Sequence, residues 1–362
     1  NISIHGRLLE DQSFPLRNEV VLPFFIKLHK VASSTTASLF NCVASEHPEA
    51  YHNMLNIYDN CAIKHTAWSH MNMNELELYG MPYFAQCMLG NPTQAVRIVT
   101  ILRNPADRFV SALRYFDKIR KKTREVRKMM GKSEQFTISE LHNLTYDIFT
   151  PNQDAHPEVR LHEYVDVFGS LASKNKYVFD PHNRHGHHGI EEERGGGGGG
   201  GGRGRKNGQF KESTVFYKRY NPLILPNQTE VNTAKDMLGK YFVVGITENM
   251  EGFMALLSVE FDWSPSIMCL PYPCQLKAGG ANYDCATAGA HLSKLSAHLV
   301  DEIDRLVAPD LEVYEHAKHL FQVRTELHGG KYEDRKKEFH SEAHLAFCEE
   351  IKPDLQKKCK QM

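Results

Sequence analysis

Val20-Val-Leu-Pro-Phe-Phe-Ile-Lys-Leu28, with the polar turn His29-Lys-Val-Ala-Ser-Ser-Thr-Thr36 directly after it, decides the fold of this chain. The first segment is rich in β-branched and aromatic residues between polar flanks, which predicts a strand. The turn is rich in hydroxyl groups, and the segment that follows it, Thr36–Ala44, is predicted to be a helix. A strand, a loop and a helix in this order are the opening of an α/β unit.

The same order occurs again further along the chain. Ala95–Leu102 is a short apolar run with many β-branched residues, which is typical of a buried strand. Arg103-Asn-Pro105 ends this run, and proline favours the first turn of a helix. Apolar residues then recur three and four positions apart, as on one face of a helix: Ala106, Phe109, Val110, Leu113 and Phe116.

A third strand is predicted at Tyr241–Ile246, followed by a helix through Phe253, Leu256 and Leu257. Strands that alternate with helices favour a parallel sheet, so we predict an α/β fold, a parallel sheet flanked by helices on both faces. From His291 onward the chain is predicted to be helical and highly charged. It carries an apolar stripe that is more typical of a core than of a cofactor site: Leu292, Leu295, Leu299, Ile303 and Leu306.

The composition excludes several classes of protein. The 362 residues include 43 Lys and Arg and 44 Asp and Glu, a net charge of −1, which argues against a strongly basic nucleic-acid-binding protein. Hydrophobic residues make up 41% of the chain, enough for a sizeable core. No apolar run approaches the roughly 18 residues of a membrane helix. The chain starts at Asn1 without a methionine, so we expect an upstream targeting or anchor segment in the full-length protein.

Residues 181–209 are predicted to form an insertion. They contain four histidines and eight consecutive glycines at 195–202. Polyglycine buries no apolar surface and loses much entropy on ordering, which favours a flexible surface loop. A metal site built from the histidines is the alternative, and we do not expect one.

Cysteines and glycosylation-type tripeptides bear on the compartment. No two of the eight cysteines have C-x-x-C spacing, which removes the usual support for a zinc ribbon or a thioredoxin. The close pairs Cys269–Cys274 and Cys348–Cys359 suggest disulfides, with buried free thiols as the alternative. Asn1-Ile-Ser3, Asn143-Leu-Thr145 and Asn227-Gln-Thr229 match the N-glycosylation pattern and favour a secretory lumen.

The turn His29–Thr36 is the first candidate anion site. Backbone N–H groups at a helix start favour an anion, and Lys30 with four consecutive hydroxyl side chains adds donors there. The turn is not the P-loop of ATPases, because the two glycines of that motif are missing. The alternative is a serine-rich helix cap beside a surface lysine.

The next strand end supplies the second candidate. Arg103 follows the apolar run, and Ser111 lies eight residues later on the predicted helix. An arginine at the carboxyl edge of a parallel sheet points into the crevice where such folds bind ligands, and its planar guanidinium suits a phosphate. Two anion sites at two strand ends fit a nucleotide that carries phosphates at its 5′ and 3′ positions.

These two motifs resemble a family. Lys30-Val-Ala-Ser-Ser-Thr35 after a strand looks like the 5′-phosphosulfate loop of Golgi carbohydrate sulfotransferases, and Ile101–Ser111 looks like their 3′-phosphate motif. With the segment Ser69-His-Met71, the motifs most resemble the galactose-3-O-sulfotransferase family. Tyr241–Leu257 is also similar to the hexuronic acid 2-O-sulfotransferases.

The resemblance implies a P-loop-like sulfotransferase fold in one domain over residues 20–330, interrupted by the insertion. Residues 1–19 would then be the remnant of a lumenal stem, and residues 331–362 a charged helical tail. It also implies the Golgi lumen as location, in a type II membrane protein whose anchor lies outside this chain.

The resemblance further implies 3′-phosphoadenylyl sulfate (PAPS) as co-substrate, a glycan or glycolipid as acceptor, no nucleic acid and no metal. Arg103 and Ser111 would hold the 3′-phosphate of the donor. The 5′-phosphosulfate would be held by side chains and backbone of the turn: Lys30, Ala32, Ser33, Ser34, Thr35 and Thr36. Two positions depart from the family pattern, Val31 where threonine is common and Asn104 where aspartate is common.

Sulfuryl transfer resembles phosphoryl transfer, in which positioning and charge supply most of the catalysis. Lys30 would neutralise the bridging oxygen of the donor as it leaves. A base must take the proton of the acceptor hydroxyl, and histidine is suited to this near neutral pH. The resemblance favours His70 as the base, with His65 and His29 as alternatives.

Three other functions remain open from the sequence. One is a hexuronic acid 2-O-sulfotransferase acting on a glycosaminoglycan, and another is a nucleoside kinase or related NTPase, against which the missing glycines argue. A third is a non-catalytic nucleotide-binding or glycan-binding relative. The basic stretch Arg114–Lys132, with nine basic and two acidic residues, is interpreted as a solvated, partly frayed helix extension rather than a rim for an anionic glycan.

Overall fold

The structure of the chain is a computed structural model. It describes residues 7–8, 21–26, 28, 31, 36, 68–69, 95–120, 123–149, 160–169, 221–263, 292–339, 341–344, 346 and 350.

A parallel sheet lies at the centre of the described part. Its strands are β1 (Arg7–Leu8), β2 (Val21–Ile26), β3 (Trp68–Ser69), β4 (Ala95–Leu102) and β5 (Phe242–Ile246). All four pairings are parallel, and β4 has β2 along one edge and both β5 and β1 along the other. β3 pairs with the free edge of β2. The predicted α/β class is therefore confirmed, and the second predicted strand has the bounds of β4.

Seven α-helices are described from their first residue to their last. They are α1 (Pro105–Arg120), α2 (Thr123–Gly131), α3 (Ile138–Phe149), α4 (Glu163–Phe168), α5 (Gln228–Tyr241), α6 (Met250–Glu260) and α7 (Ala297–Phe339). Short 3-10 turns occur at Ser133–Gln135, Thr247–Asn249 and Leu292–Lys294. None of the described helices combines the length and the apolar character that a membrane span requires.

The larger core surrounds the sheet. Ile98, Val99, Ile101 and Leu102 of β4 are buried, as expected for a central parallel strand. They pack with side chains from α4, α5, α6 and the second half of α7. At Gly245 in β5, a Cβ would come within 2.3 Å of the Phe253 ring in α6. Only glycine allows β5 and α6 to approach this closely.

A second core joins α1, α2, α3 and the first half of α7. The predicted apolar face of α1 is confirmed by the burial of Phe109 and Leu113, while the side chain of Phe116 lies outside the described part. The interpretation of Arg114–Lys132 as a partly frayed extension is wrong for α2. Its Val126 and Met129 are buried in this core, so an apolar face holds the basic helix in place.

Helix α7 runs through both cores. Four of the five residues in the predicted stripe are buried, and the fifth, Leu292, is half-buried in the preceding 3-10 turn. The predicted boundary after residue 330 falls beside Gly329, where φ is 48° and the helix kinks. Tyr332 and Phe339, beyond the kink, are buried in the core around the sheet. Residues 331–339 therefore pack onto the domain rather than extending away from it.

Candidate anion-binding site

The carboxyl ends of three parallel strands lie side by side. Ile26 of β2 pairs with Thr100 of β4, and Leu102 of β4 pairs with Ile246 of β5. The Thr100 hydroxyl also donates to the Ile26 carbonyl, at 3.1 Å. The loops that follow these strands share one edge of the sheet, which is the edge where open α/β sheets bind ligands.

The chain after β2 is anchored to the end of β5. The carbonyl of Val31 accepts a hydrogen bond from the hydroxyl of Thr247, at 3.1 Å. The Val31 side chain is fully buried in the core around the sheet, so an apolar residue suits this position. Thr36 is helical and 1% exposed. The remaining predicted ligands of the turn lie outside the described residues: Lys30, Ala32, Ser33, Ser34 and Thr35.

Arg103 at the end of β4 has no counter-charge among the residues that the structure describes. Its Nε is buried and has no hydrogen-bond partner, and within the described part of the chain its guanidinium forms no ion pair. The main chain of Arg103 is held, in contrast, because its N–H donates to the Tyr164 hydroxyl at 2.9 Å and its carbonyl accepts from that hydroxyl at 2.7 Å. A partly buried cation needs a compensating anion, so this position is suited to an anionic ligand.

The start of helix α1 leaves its backbone donors already satisfied. The Asn104 side-chain oxygen accepts from the N–H groups of Ala106 and Asp107, at 3.0 and 3.3 Å, and Pro105 has no N–H. Asn104 is thus the N-cap, a role for which asparagine and aspartate are equally suited. An anion here must be held by side chains, for which Arg103 and the half-buried Ser111 of α1 are the sequence-predicted pair.

Glu248 joins the end of β5 to the end of β4. One carboxylate oxygen accepts from the N–H of Asn104 at 2.8 Å, and the other accepts from the Tyr314 hydroxyl at 3.0 Å. Burial and the negative charge of Glu248 raise the pKa of Tyr314, which keeps the phenol protonated as a donor. Glu248 is not among the site residues predicted from the sequence. Its position shortly after the predicted strand Tyr241–Ile246 is the feature from which it could have been predicted.

A buried ionic network lies beneath Arg103. Arg108 of α1 is fully buried and pairs with Glu163, whose carboxylate also accepts from the Arg108 Nε at 3.2 Å. The Arg108 guanidinium lies 5.3 Å from the centre of the Tyr164 ring and 4.0 Å from Asp310. Burial opposes the charge of Arg108, but Glu163, Tyr164 and Asp310 outweigh it and leave its pKa raised. Arg108 is therefore structural, whereas Arg103 remains available to a ligand.

The three candidate bases, His70, His65 and His29, lie outside the described residues. The neighbouring strand β3 ends at Ser69, opposite Ile26 of β2, and so at the same edge of the sheet. The insertion at 181–209 and all eight cysteines also lie outside the described part. Within that part, no cluster of three or more His, Cys, Asp or Glu residues is suited to a metal ion.

Two of the glycosylation-type tripeptides differ in their surroundings. Asn143 is exposed on helix α3, but Thr145 of the same tripeptide is fully buried. Asn227, Gln228 and Thr229 are all exposed at the start of α5, where the Asn227 side-chain oxygen accepts from the Glu230 N–H at 3.0 Å. The Asn227 tripeptide is thus the more accessible of the two in the folded chain.

No protein-family model, curated protein or solved structure matches the chain. The candidate site lies at the carboxyl edge of the sheet. The Arg103 guanidinium at this edge has no counter-charge within the described residues, and its main chain is fixed. It lies beside the end of β2, after which the sequence His29–Thr36 contains a lysine and four hydroxyl side chains. Such an edge is suited to binding a ligand with more than one anionic group.

Proposed function

We propose that this chain is a PAPS-dependent carbohydrate sulfotransferase. The observation that carries the proposal is the buried Nε of Arg103 at the carboxyl edge of the sheet, which has no hydrogen-bond partner among the described residues. An uncompensated cation at this place calls for an anion, and the 3′-phosphate of PAPS supplies one. Because residues 101–111 resemble the 3′-phosphate motif, the chemistry at Arg103 and the sequence favour the same ligand.

The proposed 5′-phosphosulfate site follows the neighbouring strand. β2 and β4 pair directly over Val21–Ile26 and Ala95–Thr100, and adjacent strands lie about 4.8 Å apart. β4 runs two residues further, to Leu102, so the loops after the two strands start close together at the same edge of the sheet. One nucleotide is long enough to contact both loops. In this proposal Lys30 and the hydroxyl-rich turn hold the sulfate-bearing end of the donor, while Arg103 and Ser111 hold the 3′-phosphate.

The reaction is an in-line transfer of a sulfuryl group to a sugar hydroxyl. As the bond between sulfur and the bridging oxygen breaks, negative charge grows on the leaving phosphate, and Lys30 compensates it. A histidine, for which His70 is the proposal, accepts the proton of the attacking hydroxyl. We propose the 3-hydroxyl of galactose on a glycolipid or glycoprotein glycan as acceptor, and the Golgi lumen as the location.

The first test is donor-site binding. Adenosine 3′,5′-bisphosphate is expected to raise the Tm of the wild-type protein, because a ligand that binds only the native state stabilises it by mass action. Arg103→Ala and Lys30→Ala are each expected to lose most of this shift. Arg127→Ala, which removes an exposed arginine from helix α2, is the matched control and should keep the shift. A folded wild-type protein whose Tm does not change with the nucleotide would contradict the proposal.

The second test identifies the acceptor. With sulfate-labelled PAPS, galactosides are expected to become labelled, whereas heparan and chondroitin precursors are not. Labelling of the uronic acid polymers instead would favour the hexuronic acid 2-O-sulfotransferases, to which Tyr241–Leu257 is similar. Tight nucleotide binding without transfer to either class would indicate a non-catalytic relative.

A further inference from the structure

We infer that Tyr164 and Glu248 are positioning residues that hold the main chain of Arg103 and Asn104, so that the Arg103 guanidinium selects nucleotides carrying a 3′-phosphate. This inference rests on the proposed function, because it names residues that tune the same site. Neither residue belongs to the motifs that carry the sequence resemblance to the 5′-phosphosulfate and 3′-phosphate loops. Both lie far along the chain from Arg103.

Tyr164 fixes Arg103 through one hydroxyl. That hydroxyl accepts a hydrogen bond from the Arg103 main-chain N–H and donates one to the Arg103 carbonyl. One side chain therefore binds both polar groups of the Arg103 main chain. The Tyr164 ring is fully buried beside the guanidinium of Arg108. Its own N–H faces the Asp310 carboxylate of α7 at 3.4 Å, and the N–H of Val165 donates to the same carboxylate at 3.1 Å. The anchor is therefore itself held by α1 and α7.

Glu248 fixes the next peptide. Its carboxylate accepts from the Asn104 N–H and, on its other oxygen, from the Tyr314 hydroxyl of α7. The Arg103-Asn104 segment is thus held from two directions, by α4 and by the end of β5. Both Tyr164 and Glu248 are connected to α7, the first through the main-chain hydrogen bonds to Asp310 and the second through the hydroxyl of Tyr314.

A fixed main chain makes the guanidinium selective. Arginine has a long side chain, and the freedom it loses on binding is smaller when its main chain is already ordered. With its main chain ordered, the Arg103 guanidinium can bind only one of the phosphates of a nucleotide, which we infer to be the 3′-phosphate. Without the anchors, the preference for the bisphosphate falls, whereas binding of the 5′-phosphate by the β2 turn is unaffected.

The test compares two nucleotides by calorimetry, adenosine 3′,5′-bisphosphate and adenosine 5′-monophosphate. Tyr164→Phe keeps the buried ring and removes both hydrogen bonds to Arg103. It is expected to lower the affinity ratio of the two nucleotides about tenfold, in line with the loss of buried hydrogen bonds, while the monophosphate affinity stays the same. Tyr146→Phe makes the same chemical change at an exposed tyrosine of α3 and should leave the ratio unchanged. General destabilisation would weaken both nucleotides equally, so the ratio separates positioning from stability.

A second pair of variants decides the matter even if Tyr164→Phe does not fold. Glu248→Ala removes the acceptor for the Asn104 N–H and is expected to lower the ratio. Glu248→Gln keeps a side-chain oxygen at this position and is expected to restore most of it. An unchanged ratio in folded Tyr164→Phe and Glu248→Ala would overturn the inference while leaving the proposed function intact. A wild-type protein that binds neither nucleotide would overturn both.

Discussion

Two arginines five positions apart on the same strand-to-helix junction have different surroundings. Arg108 is fully buried, pairs with Glu163 and donates to the Leu161 and Arg160 carbonyls at 3.0 and 2.8 Å. The buried Nε of Arg103, in contrast, has no hydrogen-bond partner in the described part of the chain. The sequence predicted a ligand role for Arg103 from its place after a strand. It gave no reason to expect the Arg108 network, whose partners lie more than 50 residues away along the chain.

Replacement of Arg108 by alanine is expected to lower the free energy of unfolding by about 3–5 kcal/mol, because it leaves the Glu163 and Asp310 carboxylates buried without their cation. Urea denaturation followed by circular dichroism measures this loss. Arg127→Ala on the exposed face of α2 is the control and should change stability by less than about 0.5 kcal/mol. A loss for Arg108→Ala no larger than that of the control would show that the network contributes little.

At the scale of single elements, the sequence predicted best where the signal is local. β4 follows from an uninterrupted apolar run, and the buried face of α1 follows from spacings of three and four. The third strand starts one residue later than predicted, because Tyr241 completes the last turn of α5. The frayed interpretation of α2 rests on the apolar periodicity, which stops near Ile119. Val126 and Met129 are nevertheless buried, because they pack in one core with residues of α1, α3 and α7 that are distant in sequence or on other helices.

The contact between β5 and α6 gives a sharp test at this scale. Gly245→Ala would place a Cβ 2.3 Å from the Phe253 ring, and we expect this overpacking to cost about 1–3 kcal/mol of stability. Thermal denaturation measures the cost, and Phe253→Leu in the same chain is expected to recover part of it. Gly131→Ala at the end of α2, where no atom lies within 4 Å of the added Cβ, is the matched control. Equal Tm values for the two alanine variants would contradict the packing argument.

At the scale of the whole molecule, the long-range contacts are what the sequence could not predict. Tyr164 reaches Arg103 across 61 residues and Glu248 reaches Asn104 across 144, and no local pattern marks either pairing. Helix α7 also continues past Pro309, where local propensity favours an end, because its two halves are buried in different cores. Tertiary packing therefore assembles the candidate site from pieces that sequence reasoning treats separately.

Asp310, which links α7 to α4, is expected to make stability depend on pH. Burial raises its pKa to about 7 from 3.8, although Arg108 works in the opposite direction. Between these two values the folded state retains a proton that the unfolded chain has released. The contribution of Asp310 to the free energy of unfolding therefore falls as pH rises from about 4 to about 7, and then levels off.

The difference in unfolding free energy between wild type and Asp310→Asn, measured by urea denaturation at several pH values, isolates this contribution. It should fall across the window and stay flat above it. The same difference for Asp334→Asn, whose side chain is 81% exposed, should stay nearly flat throughout. A wild-type advantage over Asp310→Asn that grows with pH would mean that the Asp310 carboxylate is stabilised as an anion by Arg108.

Because helix α7 belongs to both cores, it affects how cooperatively the protein unfolds. Its first half supplies Leu299, Ile303 and Leu306 to one core, and its second half supplies Val313 and Phe321 to the other. If one core unfolds and its half of α7 loses helical structure, the packing of the other half in the second core is also weakened. The two cores are therefore expected to unfold together as one cooperative unit, so a change of stability at the carboxyl edge of the sheet extends to helices that do not contact it.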